Sequence, residues 1–164
     1  MIGKEIGKML LENKEKFLIP SEQVAHIQMT NYLDHALLVL TKIGYTVIPV
    51  LDSTYKIRGL ISMSMVIDAI TSIEDVDFNK LGEIRVEDVM QTDFALIDDP
   101  YDLEEVLHLL VRNSFVCVAA SDGSFTGIVT RSEILKATNR IAHEFENKYD
   151  VKPKINYVEK IKMR

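Results

Sequence analysis

Residues 23–73, moved forward by 68 positions, fall on residues 91–141 without a gap. In that register Gln23, Asp34, Val50, Ser53, Gly59, Ser64, Ala69 and Ile73 meet identical residues at Gln91, Asp102, Val118, Ser121, Gly127, Ser132, Ala137 and Ile141. The apolar pattern repeats more faithfully still, with Val47, Ile48, Ile57, Leu60 and Ile61 over Phe115, Val116, Phe125, Ile128 and Val129. One small supersecondary unit is written twice, which restricts the fold to two similar halves.

The unit reads strand, helix, strand, strand, helix. In the first copy Val24–Ile27 reads as a short strand, and Asp34 as the N-cap of a helix carrying Ala36, Leu37, Leu40 and Ile43, which Gly44 ends. Val47–Leu51 and Ile57–Ile61 are β-branched runs joined by Asp52, Ser53 and Thr54, the pattern of a hairpin, and Ser62 then caps a helix reaching Ile73. The second copy repeats this with strands at 94–97, 115–119 and 125–129 and a helix from Asp102. The fold class is therefore α/β (α+β), two β-α-β-β-α repeats packed as a pseudo-two-fold pair.

Outside the repeats the chain divides into an amphipathic opening helix (1–16) with Ile6, Met9 and Leu10 on one face, ended by Pro20. The first repeat spans 17–73, an acidic connector 74–84, the second repeat 85–149 and a basic tail 150–164. The last helix carries its apolar stripe through Ile134, Leu135, Ile141, Ala142, Phe145 and Tyr149, either to present a surface for a partner or to cover the core. The tail, with Lys152, Lys154, Lys160, Lys162 and Arg164, reads as a flexible end or as a contact for an acidic partner.

The 164 residues are 47% hydrophobic and carry a formal charge of −6. That charge disfavours broad nucleic-acid binding, whose affinity comes from cations neutralising phosphates, but leaves room for a local phosphate pocket. The single cysteine, Cys117, lies in an apolar run, so no intrachain disulfide forms and a cytoplasmic location is expected. His26, His35, His108 and His143 show no metal-ligand spacing, and no phosphate loop or nucleophile elbow is present, so a non-enzymatic role is expected.

The chemistry concentrates where each hairpin runs into the next helix: Gly59-Leu-Ile-Ser62-Met-Ser-Met65-Val66 and Gly127-Ile-Val-Thr130-Arg-Ser-Glu133-Ile134. Glycine, two apolar residues, Ser or Thr, two variable positions, an acid and an apolar residue resembles the signature of CBS domains. Val86, Asp88, Val89 and Met90 resemble the segment leading into such a domain. The arrangement as a whole is similar to the stand-alone two-CBS proteins of Gram-positive bacteria that bind cyclic di-AMP, the CbpB or DarB type.

In CBS pairs the ligand cleft lies between the repeats. The resemblance therefore implies one cleft joining Gln23, Val24, Ala25, Tyr45, Thr46, Val47, Ile48 and Pro49 to Thr130, Arg131, Ser132 and Glu133. Thr130 opens a helix whose first N–H groups suit an anion, Arg131 adds a planar cation, and Tyr45 offers a flat face for a base or is a core aromatic. The pseudo-symmetric cleft joins Gln91, Thr92, Asp93, Phe94, Asn113, Ser114 and Phe115 to Ser62, Met63, Ser64 and Met65, which replaces Arg131 by Met63 and suits phosphate less.

Adenosine-binding members carry an aspartate for the ribose diol where this chain has Glu133 and Met65. That departure favours cyclic di-AMP, whose 3′ oxygen is tied into its ring, over AMP or ATP. The resemblance implies a homodimeric nucleotide sensor without a cofactor. It would act on a partner protein such as the guanosine tetraphosphate synthetase/hydrolase of the stringent response, with no nucleic-acid or membrane partner. The alternatives are a CBS regulator that binds ATP or AMP and a ligand-independent scaffold.

Overall fold

A hairpin flanked by helices forms in each half of the computed structural model, which describes residues 1–154. In the first half β3 (Val47–Leu51) pairs antiparallel with β4 (Ile57–Ser62), while β2 (Ile27–Gln28) runs parallel to β3. In the second, β6 (Phe115–Ala119) pairs with β7 (Phe125–Thr130) and β5 (Leu96–Ile97) runs parallel to β6. The helices are α2 (Leu33–Ile43) and α3 (Met63–Ile70) in the first half, α4 (Leu103–Leu110) and α5 (Arg131–Lys148) in the second. The mixed α/β duplication expected from the sequence is the observed fold.

Local chemistry sets the element ends. Ser62, Asp102 and Thr130 each accept a hydrogen bond from the third residue of the helix they open, and Gly44 closes α2 with φ +71°. The first hairpin turn is tied by Asp52, whose carboxylate accepts from Thr54 N and Oγ1, Lys56 N and Arg58 Nε at 2.7–3.1 Å. The Thr54 hydroxyl and these other donors hold the Asp52 carboxyl well below the usual carboxylate range. Its contribution to stability is present above the ordinary aspartate range and is lost on acidification below it.

Several elements differ from expectation. The opening helix is only α1 (Lys4–Leu10), with Met9 and Leu10 buried and Ile6 exposed. Pro20 is not a helix stop but part of β1 (Ile19–Pro20), which pairs antiparallel with β7. Residues 24–26 form no strand, because Ser21–Gln23 turn as a 3-10 helix first. Likewise Phe94 and Ala95 precede β5 rather than belonging to it. Asp34 sits inside the first turn of α2 rather than at its cap, which is Tyr32. α3 stops at Ile70 and leaves Ile73 fully exposed, and the connector is anchored by buried Leu81. Lys160, Lys162 and Arg164 lie outside the described residues.

The duplication has two registers. From the hairpins onward the 68-residue offset holds, with Val50 opposite Gly59 and Val118 opposite Gly127. Upstream it is 70: Ile27 pairs with Val50 as Ile97 pairs with Val118, and buried Leu33, Ala36 and Leu40 correspond to Leu103, Val106 and Leu110. The two residues are absorbed after α4, which ends a turn earlier than α2. Asp102 therefore occupies the position of Tyr32, not of Asp34.

Three apolar clusters fill the interior. Each half has its own, the second extended by Met9, Leu10 and Phe17 from the N-terminal segment. A third cluster joins the halves through Val24, Leu51, Ile57, Cys117, Ala119 and Phe125. Burial in this seam pushes the Cys117 thiol up to about 12, which keeps it protonated and inert. The inner face of the α5 stripe covers the core and α1, with Ile134 and Ile141 buried and Phe145 and Tyr149 packed beside them, while Leu135 stays exposed.

The two signature glycines hold the halves together. At Gly127, φ is +154° and a Cβ would stand 2.2 Å from Ile19 O. At Gly59 a Cβ would stand 2.6 Å from Gln91 O, where Leu60 and Gln91 exchange two backbone hydrogen bonds of 2.9 Å. In each case a segment leading into one repeat crosses the hairpin of the other with no room for a side chain. Gly127→Ala is expected to lower stability by about 2–4 kcal/mol, and Gly59→Ala by less, because only the former adds backbone strain. Urea denaturation of both variants checks the order.

Candidate functional site

The crossing of β1 over β7 leaves a cavity of about 240 Å³ between the halves. Gln23, Val24 and Ala25 form one wall, Tyr45, Thr46, Val47, Ile48 and Pro49 a second, and Ile19, Ser114, Phe115, Ile128 and Thr130 a third. The surface is mostly apolar, with Gln23, Thr46, Ser114, Thr130 and the Tyr45 hydroxyl as its polar side-chain groups. Tyr45 stands at the mouth with 58% of its surface exposed, so it is not a core aromatic. A mostly apolar cavity with an aromatic ring at its mouth and a few polar side chains in its walls suits an aromatic ring system.

Nine of the twelve residues singled out from the sequence line this one cavity: the eight from the first repeat, and Thr130. Arg131, Ser132 and Glu133 do not. The Arg131 guanidinium lies under the end of α4, where Nε donates to Leu110 O at 2.9 Å and Nη2 to Asn113 O at 2.8 Å and Val111 O at 3.4 Å. A cation satisfying carbonyls at a helix C-terminus stabilises that end. Its amide N–H is also engaged, on Ser114 O at 2.9 Å, and the Glu133 N–H on Thr130 Oγ1 at 3.3 Å, so two of the first-turn donors of α5 already have partners. Ser132 is exposed, and Glu133 lies on the far side of α5, paired with Lys136 at 2.6 Å.

The pseudo-symmetric cleft is a separate cavity of about 210 Å³. Gln91, Phe94, Asn113, Ser114 and Phe115 line it together with Val47, Leu60, Ala95 and Arg112. Thr92, Asp93 and the helix start Ser62, Met63, Ser64 and Met65 are not in its wall. Ser62 Oγ instead bonds Ser64 Oγ and Met65 N, while Met63 and Met65 pack on the first core. The two cavities share Val47, Ser114 and Phe115.

Sequence reasoning did not place Ile19 or Ile128 here, because no local pattern shows that Ile19 pairs with Ile128. It also missed Arg112, whose only signal was a cation directly before Asn113 and Ser114. Among the described residues no group of three His, Cys, Asp or Glu gathers to hold a metal, and no helix is long and apolar enough to cross a membrane.

A CBS domain model matches residues 86–140. Over 142 residues, 85% of this chain and 95% of the relative, the sequence is 42% identical to Cyclic di-AMP receptor B of Bacillus subtilis (strain 168). The chain belongs to the CBS-domain family. Among solved CBS structures it is similar to Listeria monocytogenes CbpB in complex with c-di-AMP, at 53% identity and TM-score 0.74, covering 79% of this chain and 96% of that one. CbpB from Streptococcus agalactiae matches at 31% identity and TM-score 0.82, covering 93% and 96%. The duplicated hairpins of this CBS pair are thus shared with receptors of the CbpB type.

The Arg131 contacts carry their own prediction. Arg131→Ala removes three charge-assisted contacts and is expected to destabilise the protein by about 1–3 kcal/mol. Arg131→Lys should recover only part, lacking the planar fork. Thermal unfolding of the three proteins measures this, and an unchanged midpoint in the alanine variant would show that the clamp holds nothing.

Proposed function

We propose that this protein is a receptor for cyclic di-AMP, bound at the cavity between its two CBS repeats, and that it regulates a partner protein rather than catalysing a reaction. The observation that carries the reading is the cavity itself: an apolar slot framed by Tyr45, Ala25 and Thr130 in a chain similar to a CbpB solved with that nucleotide. One adenine enters the slot and contacts backbone groups of residues 23–25 and 45–49. A dinucleotide exceeds 240 Å³, so the second nucleotide extends past Val47, Ser114 and Phe115 toward Arg112. Arg131 and Ser132 meet phosphate from the start of α5, and Arg131 does so by leaving the carbonyls of α4.

The position of Glu133 supports cyclic di-AMP over AMP or ATP. It faces away from the cavity toward Lys136 and offers nothing to a free ribose diol. Isothermal calorimetry tests this: cyclic di-AMP is expected to bind with at least roughly tenfold higher affinity than AMP or ATP, an advantage of about 1.4 kcal/mol. Ala25→Phe, which fills the slot, should abolish the heat. Tight binding of AMP or ATP with no response to cyclic di-AMP would overturn the assignment.

Regulation follows if ligand and partner favour different states of the same protein. The reading places the receptor in the cytoplasm as a homodimer, and the guanosine tetraphosphate synthetase/hydrolase is the target that the family resemblance suggests. In light scattering the free protein should have about twice the 18.7 kDa chain mass. On an affinity column the immobilised, ligand-free protein should retain the synthetase/hydrolase and release it when cyclic di-AMP is added. Retention indifferent to every nucleotide would instead identify a scaffold.

A further inference from the structure

On the other side of the first turns of α5 lies another cavity, of about 230 Å³, enclosed by α5 and the segment around the 3-10 turn Lys14–Lys16. Among the described residues its walls carry three cations, Lys16, Lys136 and Arg140, and one carboxylate, Glu133, over an apolar floor that includes Phe17. The surplus among these described residues is two positive charges in a protein whose net charge is −6. Glu133 already accepts from Lys136 at 2.6 Å, so its charge is partly answered within the wall.

Arg140 is the fixed point. Its Nη2 donates to Met9 O at 2.7 Å, which ties the guanidinium to the end of α1. Among the described residues its Nε is buried without a hydrogen-bond partner. The nearest ion-pair carboxylate, Glu12, stands 4.0 Å away, and both Glu12 oxygens accept from Lys148 at 3.0 and 3.1 Å. A guanidinium stays charged at any physiological pH, and with its side chain only 24% exposed water screens it weakly. Such a charge is costly to bury unless a counter-charge arrives.

We propose that this cavity is a binding site for a small phosphate monoester, separate from the nucleotide cavity. A phosphate dianion matches the two surplus charges, and Arg140 with two flanking lysines supplies a fork and point charges for its oxygens. The remaining volume and the Phe17 face accommodate a short organic substituent. Phe17 and Glu133 line this site, whereas Ile19 and Thr130 line the nucleotide cavity, so the two sit back to back across the same pair of segments.

The test is backbone-amide NMR of the full chain titrated at constant ionic strength with inorganic phosphate and then with glycerol 3-phosphate. Saturable shifts are expected at Asn13, Phe17, Lys136 and Arg140. The double variant Lys16→Ala/Lys136→Ala, both exposed positions, should keep a native-like spectrum and weaken the affinity at least roughly tenfold, as expected for losing charge-assisted contacts. Cyclic di-AMP affinity should be unchanged in that variant, which separates failure of this site from failure of the nucleotide reading. Shifts that grow without saturating, that centre on residues away from the cavity, or that persist at full affinity in the double variant overturn the proposal.

Discussion

Gly59 and Gly127 lie where a segment leading into one repeat crosses the hairpin of the other, and the rest of the structure depends on those two crossings. A Cβ at either would meet a backbone oxygen at less than 3 Å, far inside van der Waals contact, and backbone atoms cannot rotate aside as a side chain can. The contacts place Ile19 beside Ile128 and Gln91 beside Leu60. Each cavity between the halves thereby acquires a wall from the partner repeat. A single repeat would have the same hairpin but neither the third apolar cluster nor the slot.

The pseudo-symmetry is broken at one place with consequences for the site. α2 runs to Gly44 and ends in a left-handed turn, whereas α4 stops earlier and its last carbonyls are held by Arg131. The same guanidinium that family resemblance assigns to phosphate is, in this structure, the cap of a helix in its own repeat. A ligand that recruits Arg131 therefore draws it from the turn carrying Val111, Arg112 and Asn113. Val111 is 77% exposed there, so under the proposed function binding at the cavity and the shape of a nearby surface would be joined through one side chain.

The strands 47–51 and 115–119, their hairpin partners and the caps Ser62, Asp102 and Thr130 were legible because β-branched runs and capping residues act over a few positions. The nine cavity residues were legible for a different reason: the doubled signature brought a family resemblance that says which segments face each other. Arg131 and Glu133 were not legible in the same way, since the direction of a side chain at a helix start depends on what packs beside it. Asp34 was misplaced because the sequence register of 68 conceals an offset of 70 in the leading strand and helix. Sequence similarity follows residues, while the pairing of Ile97 with Val118 follows hydrogen bonds and buried faces.

What the sequence determined by itself is the duplication, the order of the repeated elements and the buried inert thiol, all consequences of local propensity and apolar spacing, while the residues that line the cavity between the repeats came from the family resemblance that the duplication carried. Tertiary structure alone decided that Pro20 joins a sheet, that α1 packs on the second repeat, that Arg131 clamps α4 and that Glu133 and Arg140 share a cationic cavity with Lys16 and Lys136. These depend on contacts between residues more than a hundred positions apart, or on which way a side chain turns once such contacts form, and no periodicity along the chain encodes them.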